Sequence, residues 1–328
     1  MKIFGITMVR NEADVLRLSL LHHLGLGLDR ILVVDNASTD GTAELLERLS
    51  REDSRIQWRS DRGLFLQGAV FTALAREAFW QRADWVVPFD ADEFWWVRNG
   101  DLRKTLAETS AAALSFPAVN FVQRRQQLVA TEAGLLTMTR RAPWTVETSQ
   151  ALLEAKHIAY VEARCVAKWL FRPNVNVEVG AGNHALSAVT QAEEGHGIVC
   201  LHAPLRSKAC LERKADKGER ELENGSPPAQ SWHLKRWARL RGAGELDQEW
   251  AANSYRGMTL DLYGQEHPLI VDHRLRDAVA PFLPHGAKHD ERCRASRSCG
   301  AGARRRGRIR AWSPSPWRAG ETRSSGSQ

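Results

Sequence analysis

The stretch Trp85-Val86-Val87-Pro88-Phe89-Asp90-Ala91-Asp92-Glu93 joins an apolar run to an acidic turn. The apolar part, residues 85–89, is typical of a strand buried on both faces of a parallel sheet. Pro88 has no backbone N–H to donate, so strand pairing there is expected to be one-sided or to end. In open parallel sheets, ligands bind beyond the carboxyl ends of strands, which is where the acidic turn begins.

Strand and helix patterns alternate at short intervals in the chain before this stretch. Further strands are predicted at 2–8, 31–34 and 55–59, and helices at the segments that begin near Asn11, Thr42 and Gly68. Asn11 is expected to cap the first helix, with Glu12 and Asp14 in its first turn. This βαβαβαβ order predicts an α/β fold with a mostly parallel sheet flanked by helices.

From about residue 111 the pattern changes to short strands, and from residue 206 to charged helical stretches. The strands of this mixed or antiparallel region are predicted at 112–123, 135–141, 165–171, 175–179 and 198–202. We therefore expect four segments, with bounds at 1–110, 111–205, 206–284 and 285–328. The last is rich in Arg, Ser, Gly and Pro, a composition that predicts a disordered tail.

The net charge of +7 comes from this tail. Residues 285–328 contain 11 Lys and Arg against three Asp and Glu, whereas the other 284 residues contain 35 against 36. A neutral body argues against a protein built to bind nucleic acid. The five cysteines form no CxxC pair, which predicts reduced thiols. No apolar run of about 20 residues and no signal peptide is visible, so a cytoplasmic protein is predicted.

Polar side chains follow three of the predicted strands, at Arg10–Glu12, Asp35–Asn36 and Asp90–Glu93. Each segment alone has an ordinary interpretation, as a turn with a helix cap or as a solvated acidic loop. Together they would meet at one edge of the sheet. Two carboxylates at positions i and i+2 can converge on a hard cation, which prefers oxygen ligands and can bridge a diphosphate.

Three segments of the chain resemble the family 2 glycosyltransferases. They are Val9-Arg10-Asn11-Glu12, Val33 to Thr42 (VVDNASTDGT) and Asp90 to Trp95 (DADEFW), and a bacterial branch with a DADEF motif and a later Gly-Asn-His is especially similar. The resemblance covers roughly residues 1–215. It implies a GT-A (Rossmann-like) fold, a nucleotide-diphosphate sugar donor, inversion at the anomeric carbon and Mg²⁺ or Mn²⁺. It also implies a donor-binding half at 1–110 and an acceptor-binding half at 111–205.

The resemblance further implies roles for individual residues of this sequence. Arg10, Glu12, Asp35 and Asp90 would line the nucleotide-sugar pocket, and Asp35 would contact the base. Asp90 and Asp92 would lie at the metal, and His202 is the best candidate for an additional metal ligand from the second half.

The catalytic base and the acceptor pocket are left open by the sequence. Glu178 and Glu93 are candidates for the carboxylate that takes the proton of the acceptor hydroxyl, and a surface or ion-paired role is the more common alternative for each. His184 and Trp95 are candidates for the acceptor pocket, and the alternative for Trp95 is packing against the sheet.

Two departures from the family pattern limit what the resemblance implies. Many relatives carry Ala-Arg-Asn on the third helix, where this chain has Leu74-Ala75-Arg76-Glu77-Ala78. No QxxRW motif is present, so transfer of a single sugar is favoured over polymerisation. By analogy, the acceptor would be a saccharide or lipid-linked molecule of surface polysaccharide or glycolipid assembly.

Two other classes of function compete with this interpretation. A sugar-phosphate nucleotidyltransferase would need a Gly-rich phosphate loop after the first strand, where this chain has Met8 to Glu12. The basic tail could instead bind nucleic acid or anionic lipid, but no RRM, HTH or zinc pattern accompanies it. We therefore expect no specific nucleic-acid partner and at most a peripheral membrane contact.

Overall fold

A computed structural model of the protein describes residues 1–143, 150–163, 166–223, 225 and 231–283. Its strands are β1 Ile3–Val9, β2 Arg30–Asp35, β3 Ile56–Ser60, β4 Trp85–Pro88, β5 Glu93–Val97, β6 Ala113–Phe116, β7 Ala118–Arg124, β8 Arg140–Arg141, β9 Lys168–Phe171, β10 Glu178–Val179, β11 Leu186–Ser187, β12 Ala192–Glu194, β13 Ile198–His202, β14 Ser254–Arg256, β15 Thr259–Leu262, β16 Gln265–Pro268 and β17 Ile270–Val271.

The helices are α1 Leu16–Gly25, α2 Thr42–Glu52, α3 Gln67–Trp80, α4 Leu102–Ala107, α5 Gln150–Glu154, α6 Lys208–Glu223, α7 Trp232–Gly242, α8 Leu246–Ala252 and α9 Arg274–Val279. Short 3₁₀ helices lie at Glu132–Thr137, Tyr160–Glu162, Ala181–Asn183 and Ala280–Phe282.

The first sheet has seven strands in the order β12-β6-β9-β4-β1-β2-β3. Strands β4, β1, β2 and β3 are parallel, and β9 is antiparallel to both of its neighbours. On β1, Phe4, Ile6 and Met8 share a core with α3, whereas Ile3 and Val9 join a different core. The strand is thus buried on both faces, and the predicted α/β fold with a mostly parallel sheet is confirmed.

Two prolines mark the points where the chain changes sheet. Pro88 is the last residue of β4, opposite Ile6, and Phe89 N–H still donates to the Ile6 carbonyl before the chain leaves the first sheet. Pro117 divides the single strand predicted at 112–123, because β6 lies in the first sheet and β7 in the second. The missing N–H at each proline explains why pairing stops there.

The second sheet follows the path β16-β15-β14-β7-β13-β5, with β8 and β17 attached through β7. Its strand β5 begins immediately after the acidic turn and pairs antiparallel with β13. Strand β5 was not predicted from the sequence, because an acidic turn followed by Trp95 and Trp96 carries no clear alternation.

The C-terminal segment is less helical than predicted. Helices α6, α7 and α8 are followed by the four short strands β14 to β17, which are two to four residues long, and then by α9. Helices α6 and α7 pack closely at Gly218, where a Cβ atom would lie 1.9 Å from the Leu234 carbonyl oxygen. The basic tail predicted at 285–328 lies outside the described residues. Among those that are described, no helix is long and apolar enough to cross a membrane.

Candidate functional site

The loops after β1 and β2 are joined by hydrogen bonds at the carboxyl edge of the first sheet. Val9 lies opposite Asp35, and the Arg10 guanidinium donates to Asn36 Oδ1 at 3.0 Å. Asn11 does not cap α1, which begins only at Leu16. With φ at 57°, Asn11 accepts the Thr39 N–H at 2.7 Å through its side chain and donates its own N–H to a serine of the same loop. The asparagine therefore fixes one loop to the other.

Asp35 ends β2 as a buried carboxylate with an unfilled acceptor. Its Oδ2 accepts the Ser38 N–H at 3.3 Å, whereas Oδ1 is buried without a hydrogen-bond partner in the described part of the chain. Buried carboxylate oxygens are rarely left unsatisfied, and an exception points to an absent ligand or water. Arg10 lies at the same edge of the sheet, next to Asn36. Burial, and then the positive charge of Arg220, lower the pKa of Arg10.

The acidic turn is closed by reciprocal hydrogen bonds between its ends. Asp90 N–H donates to Glu93 Oε2 and Glu93 N–H to the Asp90 carbonyl, each at 3.0 Å. Glu93 is buried and forms an ion pair of 2.6 Å with Lys168, which also lies 3.6 Å from Asp90 Oδ2. Burial raises the pKa of Glu93 and Lys168 limits the rise, whereas the two carboxylates hold the lysine pKa above its ordinary value against burial.

Asp92 and His202 face each other because β5 pairs with β13. Glu93 lies opposite His202, and Ala203 N–H donates to the Asp92 carbonyl at 2.8 Å. The imidazole Nε2 is 3.6 Å from Asp92 Oδ1, while Nδ1 lies 2.8 Å from Asn120 Oδ1. The Asn120 amide is oriented by its Nδ2 donating to Ala163 O at 3.0 Å, so Nδ1 of His202 is assigned as the N–H donor. The other ring nitrogen, Nε2, is the one that faces Asp92.

Cations from the C-terminal segment neutralise the other oxygen of Asp92. Arg206 Nη1 lies 3.2 Å and Lys214 Nζ 2.9 Å from Asp92 Oδ2. Arg206, only 3% exposed, also pairs with Glu12 at 2.7 Å and Asp14 at 2.9 Å. Burial would raise the pKa of Asp92, but Lys214 and then His202 outweigh it, and the pKa lies well below the ordinary range.

The segment Gly180–His184 reaches the acidic turn through Gln67 and Lys168. Gly182 N–H donates to Gln67 Oε1 at 2.9 Å, and the Gln67 amide donates in turn to Asp90 Oδ1. Lys168 donates to the Gly182 carbonyl. The His184 side chain is exposed beside this junction. Desolvation by neighbouring protein groups, followed by the charge of Lys168, lowers its pKa to about 4, so its imidazole is neutral at pH 7.

The two candidate bases and the candidate aromatic occupy different surroundings. Glu178 on β10 is exposed and accepts a hydrogen bond from Ser187 Oγ at 3.2 Å. Glu93 is held by Lys168 as described. Trp95 is fully buried, and its indole N–H donates to the Pro88 carbonyl at 3.0 Å. Trp95 is therefore a core residue, in line with the alternative of packing against the sheet, and the prediction that it lines the acceptor pocket is wrong.

A cluster of aromatic rings lies near the site and was not predicted from the sequence to belong to it. His233 stacks on Tyr160 with ring centroids 5.5 Å apart and makes edge contacts with Trp232 and Trp237. Burial, then the charges of Lys214 and His202, lower the pKa of His233 to about 3. The three α7 rings fall at i, i+1 and i+5 in a charged helix, which reads as ordinary packing.

Comparison with known proteins supports the resemblance over part of the chain. Residues 6–144 match the model of the glycosyl transferase family 2, which is less than half of the chain. This segment contains the second half of β1, all of β2 to β8 and the acidic turn. Together with the sheet order, the match supports the GT-A fold that the resemblance implies.

Curated relatives match over short segments. A glycosyltransferase family 92 protein of Arabidopsis thaliana is 36% identical over 90 residues, covering 27% of this chain and 16% of the relative. An uncharacterized protein of Mycobacterium tuberculosis is 35% identical over 127 residues, covering 37% of this chain and 30% of the relative. The match thus spans less than a third of the length of either protein.

Solved structures show weaker likeness over longer spans. The mannosyltransferase PcManGT of Pyrobaculum calidifontis, in complex with GDP-Man and Mn²⁺, is 18% identical with a TM-score of 0.38, covering 90% of this chain and 79% of that one. Residues 1–349 of TarS from S. aureus are 11% identical with a TM-score of 0.35, covering 72% and 69%. At these TM-scores the likeness carries no weight for the chemistry of the site.

Proposed function

We propose that the protein is a glycosyltransferase that moves a sugar from a nucleotide-diphosphate sugar to an acceptor hydroxyl. The observation that carries the proposal is that Asp35, with its unfilled buried oxygen, and the acidic turn with the Asp92–His202 pair follow the carboxyl ends of β2 and β4, the two strands that flank β1. Ligands of open parallel sheets bind at this edge. The family 2 match over residues 6–144 includes Asp35 and Asp92 and supports the same chemistry.

The donor nucleotide would occupy the edge formed by the loops after β1 and β2. Asp35 Oδ1 is an acceptor that a ring N–H of a uracil or guanine base could satisfy. Arg10 lies beside Asp35, and Glu12 follows at the start of the next segment. Asp90, oriented by Gln67, would approach the ribose and the metal.

The residues present suit a divalent cation held partly by the donor. Asp92 Oδ1 and His202 Nε2 face the same point, and Asn120 fixes the imidazole from behind, as partners of metal-bound histidines usually do. No group of three or more His, Cys, Asp or Glu in the described residues is arranged as a complete metal site. Mg²⁺ and Mn²⁺ commonly complete their coordination with substrate phosphates. When bound, the cation would stabilise the negative charge of the departing diphosphate.

The protein's own groups would position the acceptor and take its proton. An inverting displacement needs a carboxylate on the side opposite the leaving group. Glu178 has an accessible carboxylate four residues before Gly182, which Gln67 links to Asp90. Glu93 is held in an ion pair with Lys168, an arrangement better suited to fixing the acidic turn. His184, neutral at pH 7, would offer the acceptor a hydrogen bond. A saccharide or lipid-linked acceptor of surface polysaccharide or glycolipid assembly, reached by a peripheral membrane contact, remains part of this proposal.

The nucleotide site is tested by Asp35→Asn, which keeps the size of the side chain and replaces the acceptor. Calorimetric titration with UDP and GDP in Mn²⁺ should give an affinity about 10- to 100-fold lower than that of the wild type, because a hydrogen bond to a charged acceptor is lost. Asp277→Asn, an exposed aspartate on α9, is the control and should bind normally. Absence of binding by the wild type, or equal binding by Asp35→Asn, contradicts the proposal.

A further inference from the structure

One face of α6 carries cations along the row of acidic groups at the strand ends. Arg213 pairs with Asp14 at 3.1 Å, Lys214 with Asp92 at 2.9 Å and Lys217 with Glu12 at 2.8 Å. Arg206, just before the helix, pairs with all three of these carboxylates. Three carboxylates thus meet four cations, so the cluster has one positive charge in excess.

The cations differ in how firmly they are held. Arg206 makes ion pairs with three acidic residues and its side chain is 3% exposed, which identifies it as a structural tie. Lys214 and Lys217 each make a single ion pair, and their side chains are 14% and 20% exposed. A lysine is a compact charge on a flexible stem, so these two ammonium groups can change partners without moving the helix.

A divalent cation at Asp92 would stand beside two positive side chains. Lys214 and Arg206 already lie on Oδ2, and the cation would approach from Oδ1, the side of His202. Repulsion among these charges is strong in a buried site unless an anion lies between them. A diphosphate bound beside the lysines would supply that anion.

We propose that Lys214 and Lys217 form a diphosphate-binding pair on α6. Without nucleotide, Lys214 occupies Asp92 and opposes binding of the divalent cation. With the donor bound, the ammonium groups of Lys214 and Lys217 move to the diphosphate oxygens. Asp92 then keeps Arg206 on Oδ2 and is freed of Lys214, so that it can bind the cation. This inference rests on the proposed function, because it requires a nucleotide diphosphate at the strand ends.

The test is Lys214→Met, which keeps the stem and removes the charge. Two affinities are measured: that of Mn²⁺ for the nucleotide-free protein, by electron paramagnetic resonance of free Mn²⁺, and that of UDP or GDP in saturating Mn²⁺, by calorimetry. We expect Mn²⁺ to bind more tightly by about threefold or more, since a competing charge is gone. The nucleoside diphosphate should bind about 10- to 100-fold more weakly, because charge-assisted hydrogen bonds are lost.

Three further variants separate this role from a merely structural one. Lys217→Met should weaken the nucleotide and leave Mn²⁺ unchanged, since Lys217 contacts Glu12 and not Asp92. Lys214→Arg should restore most nucleotide binding. Lys208→Met is the matched control, because this lysine of the same helix pairs with Asp247 instead, and should change neither affinity.

A diphosphate-binding role and a merely structural role of Lys214 predict changes of opposite sign in the Mn²⁺ affinity of Lys214→Met. If Lys214→Met weakens Mn²⁺ and nucleotide together, or leaves nucleotide affinity unchanged, Lys214 is only a structural ion pair and the inference is overturned. If Lys214→Met does not fold, Lys217→Met tests the inference instead. An unchanged nucleotide affinity in Lys217→Met would then contradict the proposed diphosphate-binding pair. If the wild type binds neither UDP nor GDP, the proposed function itself fails.

Discussion

The loops after β1, β2 and β4 and the C-terminal segment around α6 supply opposite charges to one site. The loops carry the acidic and polar groups, and each lies within a short motif next to its strand. The cations come from the segment at 206–217, and Arg206 contacts Glu12 at a separation of 194 residues. The residues of the loops can be recognised from short local motifs, whereas the positions of the cations depend on how the C-terminal segment packs against the first sheet. The predicted site was therefore acidic, and the observed one is nearly balanced.

The largest expected effect is the loss of unfolding free energy on replacing Arg206, whose ion pairs join these two regions. Arg206→Met would leave Glu12, Asp14 and Asp92 without their shared buried cation. Removing one partner of a buried ion pair typically costs about 3–5 kcal/mol, and we expect a loss of unfolding free energy of this size. Urea unfolding at pH 7 measures it. Arg213→Met, which removes a single partly exposed partner of Asp14, should cost less than about 1 kcal/mol. Equal costs for the two variants would refute the assignment of Arg206 as the main tie.

A smaller effect on the free energy of unfolding is expected from His233, which lies on α7 in the C-terminal segment. The pKa of this histidine falls to about 3 in the folded chain, against an ordinary value of 6.5. Between these two values the unfolded chain binds a proton that the folded chain rejects. His233 therefore destabilises the protein as the pH falls through this window, by at most about 1.4 kcal/mol per pH unit.

His233→Gln removes this proton uptake and should flatten the loss of stability between pH 6.5 and pH 4. Urea unfolding at several pH values measures the slope for each variant. His157→Gln, at an exposed histidine, is the control and should retain the wild-type slope. An unchanged slope in His233→Gln would show that His233 is not held neutral.

The two regions also differ in how far the sequence predicted them. Strands β1, β2 and β4 are short apolar runs buried on both faces, and such local patterns identify strand and strand end together. Asn11 was wrongly predicted as a helix cap because its partner, Thr39, lies in the next loop. The placement of Lys168 against Glu93 and of Lys214 against Asp92 needs contacts over 75 and 122 residues. In sequence, a basic residue that enters such a contact looks like one that faces solvent.

Weakly patterned elements account for the remaining differences. Strand β5 follows an acidic turn, and β14 to β17 are too short for a period to be recognised. His202 was named as a candidate metal ligand from the resemblance, but its orientation depends on Asn120, which no local pattern links to it. Sequence thus identified the acidic groups, while the pairing of two strands brought Asp92 and His202 face to face.

The central claim, glycosyl transfer at the Asp92–His202 edge, is tested most directly by release of nucleoside diphosphate from a panel of UDP- and GDP-sugars with Mn²⁺ or Mg²⁺. We predict that the wild type releases UDP or GDP from at least one donor, that EDTA abolishes the release, and that Asp92→Asn lowers it by about 100-fold or more. Circular dichroism of Asp92→Asn controls for folding. Absence of release from every donor, or an undiminished rate in EDTA or in folded Asp92→Asn, would contradict the account.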